Sequence, residues 1–183
     1  MVNHGLSTGA LFALVGMLYE RYHSREIRSF GGLARKMPVL AFFFVVVTLS
    51  SIGLPGLNGF VGEFLILAGM FQVNKTFAVI AATGIILGAF YMLWLVQRVF
   101  FGSLREPHHE GGHVSDMNFR EIAALAPIAA ACLWIGICPN FFLSRMEPAI
   151  VQVAEKFDRS STRLQAHLGT GLAREEEGGL RID

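Results

Sequence analysis

The chain has 183 residues, of which 53% are hydrophobic and only 16% charged, with a mean hydropathy of +0.51 and a formal net charge of +1. A soluble domain carries about 25% charged residues, so this composition points into a membrane. The near-zero net charge excludes a general electrostatic attraction to nucleic acid.

The charges are also segregated. No Asp, Glu, Lys or Arg occurs from Pro38 to Gly62, from Thr76 to Gln97, or from Ile122 to Ser144. Crossing a hydrocarbon core takes about 20 helical residues. Backbone groups in lipid must bond within the segment, so these stretches are expected to be helices. The short alternating strands of an outer-membrane barrel are absent. The expected fold class is all-α, a polytopic membrane helix bundle with a membrane domain over 1–145.

In chain order, a first apolar span covers about 3–19. It has no basic region ahead of it and no cleavage pattern after it, so it does not read as a signal peptide. His4 lies almost at its start, as if a helix were entered partway along, and the chain is expected to be part of something longer. A polar link, ERYHSREIRSFGGLARKM, holds Arg21, Arg25, Arg28, Arg35 and Lys36. The second apolar region covers 38–73, and a short turn at Asn74 leads to a third span over 77–97. A loop with SLREPHHEGGHVSDMNFR precedes a fourth span over 121–144. An amphipathic to polar tail over 146–183 follows, with too little to bury in its last part to order it.

The second region is too long. As one straight helix it would extend roughly 54 Å at 1.5 Å per residue, nearly twice the hydrocarbon thickness. Either it is a hairpin turning near 55–58 or one span interrupted there. Loop charge favours interruption for the Arg-rich link and the 100–120 loop, but Arg145, Lys156 and Arg159 favour the hairpin.

The interruption sits in SSIGLPGLNGFVGEFLIL. Pro55 lacks an N–H and ends or kinks a first half-helix. Gly56, Gly59 and their neighbours Gly53 and Gly62 allow dihedrals closed to other residues. Asn58 is expected to N-cap a second half-helix starting near Gly59. Glu63 then lies in its second turn. Desolvation favours the neutral acid there, while the helix N-terminus favours the carboxylate, so the group is placed to load and release a proton. Acids inside membrane segments, and broken helices, are functional candidates; a solvated interfacial Glu63 is the plain alternative.

His4 could relay protons or simply cap a helix, and Ser7 and Thr8 add a weak polar strip. His108, His109, Glu110 and His113 have a metal-binding composition, but the glycines between them fix no geometry; no metal site is assigned. Cys132 and Cys138 read as buried, unreactive thiols without a disulfide. The small-residue pattern Gly84 to Gly88 suits close helix packing. Tyr91 and Trp94 suit an aromatic belt. No cofactor-binding motif occurs, so no cofactor is expected in this chain, and no catalytic residue is assigned.

Three stretches carry a resemblance: NHGLSTGALFALVGMLYER, SIGLPGLNGFVGEFLIL and GAFYMLWLVQRVFFG. In order and spacing they resemble the C-terminal part of the antiporter-like, proton-pumping membrane subunits of NADH-quinone oxidoreductase (respiratory complex I), of the subunit M type. The resemblance covers about residues 1–155. It implies four transmembrane helices with the second discontinuous, and a multi-pass protein of the cell inner membrane. Its partners would be lipid and the other membrane-arm subunits, with no nucleic acid. It further implies that Glu63 and His4 take part in proton translocation, coupling quinone reduction to pumping. The family's other charged groups are absent here, so pumping by this chain alone is in doubt. The related Mrp-type cation/proton antiporter subunits are the alternative, as is a truncated, non-functional remnant.

Overall fold

The computed structural model describes residues 1–107 and 114–157. Among them the chain is helical: α1 (Val2–Tyr22), α2 (Pro38–Ser51), α3 (Asn58–Val73), α4 (Lys75–Phe100) and α5 (Phe119–Ile137), with short 3-10 turns at Ile27–Ser29 and Leu33–Arg35. The histidine-rich loop singled out above (His108, His109, Glu110, His113) and the tail from 158 lie outside the described residues. The chain divides into two compact units, Met1–Pro139 and Asn140–Asp183. In the second, residues 140–157 are helical, and the Arg145 guanidinium lies 3.8 Å from the centre of the Phe141 ring.

Each helix boundary has a local cause. α1 stops at His23, which takes a left-handed conformation (φ 50) while its N–H bonds the Tyr19 carbonyl. α2 opens with Pro38, whose missing N–H is no loss in a first turn. The next two N–H groups, of Val39 and Leu40, donate to the Asp116 carboxylate at 2.8 and 3.2 Å. Asn74 alone separates α3 from α4, and its side chain accepts from the Phe77 N–H at 3.1 Å, an N-cap. α5 ends at Ile137 because Cys138 precedes Pro139, and a residue before proline is steered out of the helical region. The helix therefore stops inside the predicted fourth span, and a new helical run covers 139–157. Cys138, expected to be buried, is exposed at this interruption; Cys132 is buried, and both are free thiols.

The apolar core gathers at one end of the first unit. Leu14, Leu18 and Tyr22 of α1 meet Leu40, Phe44 and Val47 of α2, Phe100 at the end of α4, and Leu125 of α5. The Phe44 and Phe100 rings lie 4.8 Å apart. Polar contacts close the same end. Arg21 grips Glu121 at 2.9 and 2.7 Å and also donates to the carbonyls of Ser115 and Asp116. Lys36 pairs with Glu106 at 2.6 Å, and Gly31 and Arg105 exchange two backbone bonds.

The other elements present their apolar side chains outward. Asn58 is the one buried residue of α3, and on α4 Phe77, Val79, Ile80, Ile86, Leu87 and Phe90 are exposed. α4, with 26 residues, and α5, with 19, are long and apolar enough to cross a membrane. Exposed apolar surface of this extent is stable in hydrocarbon and costly in water. The chain is membrane-embedded.

Candidate functional site

The interruption between α2 and α3 is built by a glycine. Gly53 takes φ +73, its N–H reaches the Ser50 carbonyl at 3.4 Å, and the Leu54 N–H reaches the Leu49 carbonyl at 3.0 Å. That pair of bonds around a left-handed glycine is a Schellman motif, which satisfies the last carbonyls of α2. The helix therefore ends before Pro55, which was expected to end it. Pro55 and Gly56 (φ +94) instead form the turn after the stop, and Leu57 bonds back to Leu54.

Asn58 is the first residue of α3, not its N-cap; that position falls to Leu57, and no side chain caps the helix. The Asn58 side chain is used otherwise. It is fully buried, accepts a short hydrogen bond from the Ser50 hydroxyl, and donates to the Asn3 carbonyl at 3.2 Å. Asn3 returns the contact, its side-chain amide donating to the Asn58 carbonyl at 2.8 Å. A buried amide requires partners on both atoms, and here those partners join α1, α2 and α3. The Cys132 thiol of α5 also lies within hydrogen-bond reach of Ser50.

Glycines let these backbones approach. A methyl group on Gly59 would collide with the Ser50 carbonyl oxygen, and one on Gly136 of α5 would collide with the Gly56 carbonyl. One on Gly62 would lie 3.0 Å from the Asn3 amide. Gly59→Ala therefore meets backbone that cannot rotate away, and we expect a loss of about 1–3 kcal/mol, the range for overpacking. Gly84, by contrast, has open space where a methyl would go. Gly84→Ala should be neutral or stabilising by up to about 1 kcal/mol. Unfolding midpoints of the two variants in the same micelles check this; equal midpoints would mean that α2 and α3 are not held in contact.

Glu63 stands beside this break. Its carboxylate occupies the space that a side chain on Gly53 would fill. It has no hydrogen bond or ion pair among the described residues, and the hydroxyls of Thr48 and Ser51, in the last turn of α2, are buried and also unpartnered. A carboxyl with no partner among the described residues, set at a gap between two helices, is chemically able to carry one proton at a time.

His4 is not joined to Glu63 by any direct bond. It is exposed in the first turn of α1, with its ring 3.2 Å from the Thr8 hydroxyl. Its neighbour Asn3, not His4, reaches the break. Asn3, Ser50 and Gly136 were missed as site residues in the sequence, whereas Gly53 was named among the glycines of the break. Two adjacent serines inside an otherwise apolar segment were the available signal for Ser50; nothing local marks Asn3 or Gly136.

The sequence profile of a family described as "NADH:quinone oxidoreductase/Mrp antiporter, TM" matches residues 1–90. NADH-quinone oxidoreductase subunit M of Rhodobacter capsulatus is 43% identical over 157 residues, which is 86% of this chain and 30% of that relative. Respiratory complex I from Thermus thermophilus contains a chain similar at a TM-score of 0.69 and 35% identity, covering 80% of this chain and 30% of that one. The Mrp complex from Dietzia is similar at a TM-score of 0.65 and 20% identity over 77% of this chain and 34% of that one, a likeness of fold alone. The chain thus spans about a third of the length of the curated relatives it matches.

Proposed function

We propose that this chain, which belongs to the NADH:quinone oxidoreductase/Mrp antiporter transmembrane family, serves as part of a proton-translocating membrane subunit of NADH-quinone oxidoreductase, with Glu63 as its proton-carrying group. The observation that carries the reading is the unpaired Glu63 carboxylate at Gly53, where α2 has ended and α3 begins. Redox chemistry elsewhere in the assembly shifts the charge of groups in neighbouring subunits. In a low dielectric such shifts act strongly over several ångströms. Glu63 takes a proton when its surroundings become more negative and gives it up when they reverse, through the gap that the broken backbone leaves. Thr48 and Ser51 supply polar groups on one side of that gap. His4 relays within the membrane, at the end of α1 that Asn3 ties to the break.

In this reading α2 and α3 make one interrupted crossing. What supports it is the length of α4, roughly 39 Å for its 26 residues. α4 ends at Phe100, against Phe44 and beside the Gly31–Arg105 bridge, at the end where α2 begins. Its start at Lys75 is a full helix length away. A path from Pro38 to Val73 that crosses once would join these two ends, whereas a hairpin would return the chain to the end where it began. The bilayer is proposed to be a bacterial inner membrane, with other membrane-arm subunits as partners and the redox centres outside this chain.

The cation/proton antiporter reading is weaker, because the relatives at 41–45% identity carry the oxidoreductase name and the Mrp likeness concerns fold alone. The experiment purifies the assembly that contains this chain and seals it into vesicles. NADH oxidation by an added quinone should acidify the lumen in sodium-free medium. A requirement for sodium, or an assembly lacking NADH-oxidising subunits, would overturn the proposal.

A further inference from the structure

We propose that an arginine-lined recess beside the C-terminal end of α4 binds the phosphate headgroup of an anionic phospholipid. Two adjoining cavities, of about 470 and 270 Å³, lie between the Ile27–Ser29 turn and the end of α4. Arg25 lines the first, Arg105 the second, and Arg28 and Arg98 line both. Among the described residues Glu26 is the one carboxylate lining either, so the described lining carries a formal charge of +3.

These four arginines differ from Arg21 and Lys36 at the same end. Arg21 and Lys36 each hold a carboxylate, at 2.7 and 2.6 Å. Arg25, Arg28, Arg98 and Arg105 hold none among the described residues. Arg25 lies 4.5 Å from the centre of the Tyr19 ring and Arg98 5.2 Å from that of Trp94. Aromatic faces position a guanidinium without neutralising it, so the donors remain available, and their planar forks match phosphate oxygens. Charges that served only to orient the protein in the membrane would act by number near the helix ends; convergence on one recess is not needed for that.

The surface beneath the recess identifies the ligand as a lipid. Leu87, Phe90, Trp94 and Arg98 recur at helical spacing on one face of α4. The first three are 65%, 71% and 46% exposed. An apolar stripe thus descends from the cationic recess, so a bound phosphate has room for its acyl chains along α4. A free phosphate would use the recess and ignore the stripe.

The test uses the full chain in phosphatidylcholine vesicles, with Trp134→Phe leaving Trp94 as the reporter. Brominated phosphatidylglycerol should quench Trp94 at a several-fold lower mole fraction than brominated phosphatidylcholine. A basic residue near an anionic lipid surface counts for about fivefold in affinity, so Arg25→Gln with Arg28→Gln should reduce the preference on the order of tenfold or more. Arg28→Lys should keep part of it. The single Arg105→Gln, at an exposed position, gives an independent reading of the same preference. Equal quenching by the two lipids in the unsubstituted chain, or a preference that survives both sets of glutamines, overturns the proposal. Loss of the preference on adding inorganic phosphate at matched ionic strength also overturns it, assigning the recess to a soluble anion.

Discussion

Glu63→Gln abolishes proton translocation by the assembled complex while the helix break stays intact. Glutamine keeps the size and reach of the side chain, and among the described residues the carboxylate makes no hydrogen bond or ion pair that the exchange would break. What it loses is the ability to take up and release a proton. Loss of a required transfer step should lower coupled NADH-dependent quinone reduction at least tenfold, which is about 1.4 kcal/mol added to the limiting barrier. Glu63→Asp keeps the acid but shortens its reach by a methylene, so partial pumping is expected. Lumen acidification and quinone reductase turnover are the measurements, on complexes of equal thermal stability. Wild-type values of both in Glu63→Gln would end the assignment of Glu63 as the proton carrier.

That Glu63 lies near a break was legible because the evidence is local and one-dimensional. An apolar region too long for a bilayer, four glycines, a proline and a single acid all occur within a few turns. The position of the break was less legible. Proline is the stronger breaker by composition, yet α2 stops at Ser51, because Gly53 in a left-handed conformation lets the last carbonyls bond. That depends on the dihedrals chosen among several glycines, which composition does not rank. The Asn58 side chain was misassigned for a related reason. A cap is the local use of asparagine at a helix start; the use found here needs Asn3, distant in the chain, and Ser50 together. Arg21 with Glu121, and Asp116 at the start of α2, were likewise invisible as pairs, since no spacing rule links residues on different helices.

Asn58→Leu should destabilise the chain by about 2 kcal/mol, a value on which two scales disagree. By the scale of water-soluble proteins, each buried group left without a partner costs about 1–3 kcal/mol, and leucine here leaves the Ser50 hydroxyl only the weak Cys132 thiol within reach and weakens the satisfaction of the Asn3 carbonyl. By measurements between membrane helices, each bond is worth roughly 0.6 kcal/mol, because the unfolded helices also find partners in lipid. The site lies between these limits. Asn58 is 0% exposed and its partners come from two other helices, yet the Asn3 carbonyl keeps a second donor in Ser7 at 3.1 Å. Ser50→Ala in the same chain removes that poorly satisfied hydroxyl, so the double variant should be less damaged than the sum of the two single ones, with a coupling of about 1 kcal/mol. Reversible unfolding in mixed micelles measures all three. Because Asn58 fixes the start of α3, and Glu63 lies little more than one turn further along, the same substitution should also lower pumping with the acid still present. Additivity within about 0.3 kcal/mol, together with unchanged pumping, would mean that the Asn3–Ser50–Asn58 cluster neither holds the break nor positions the carboxylate over Gly53.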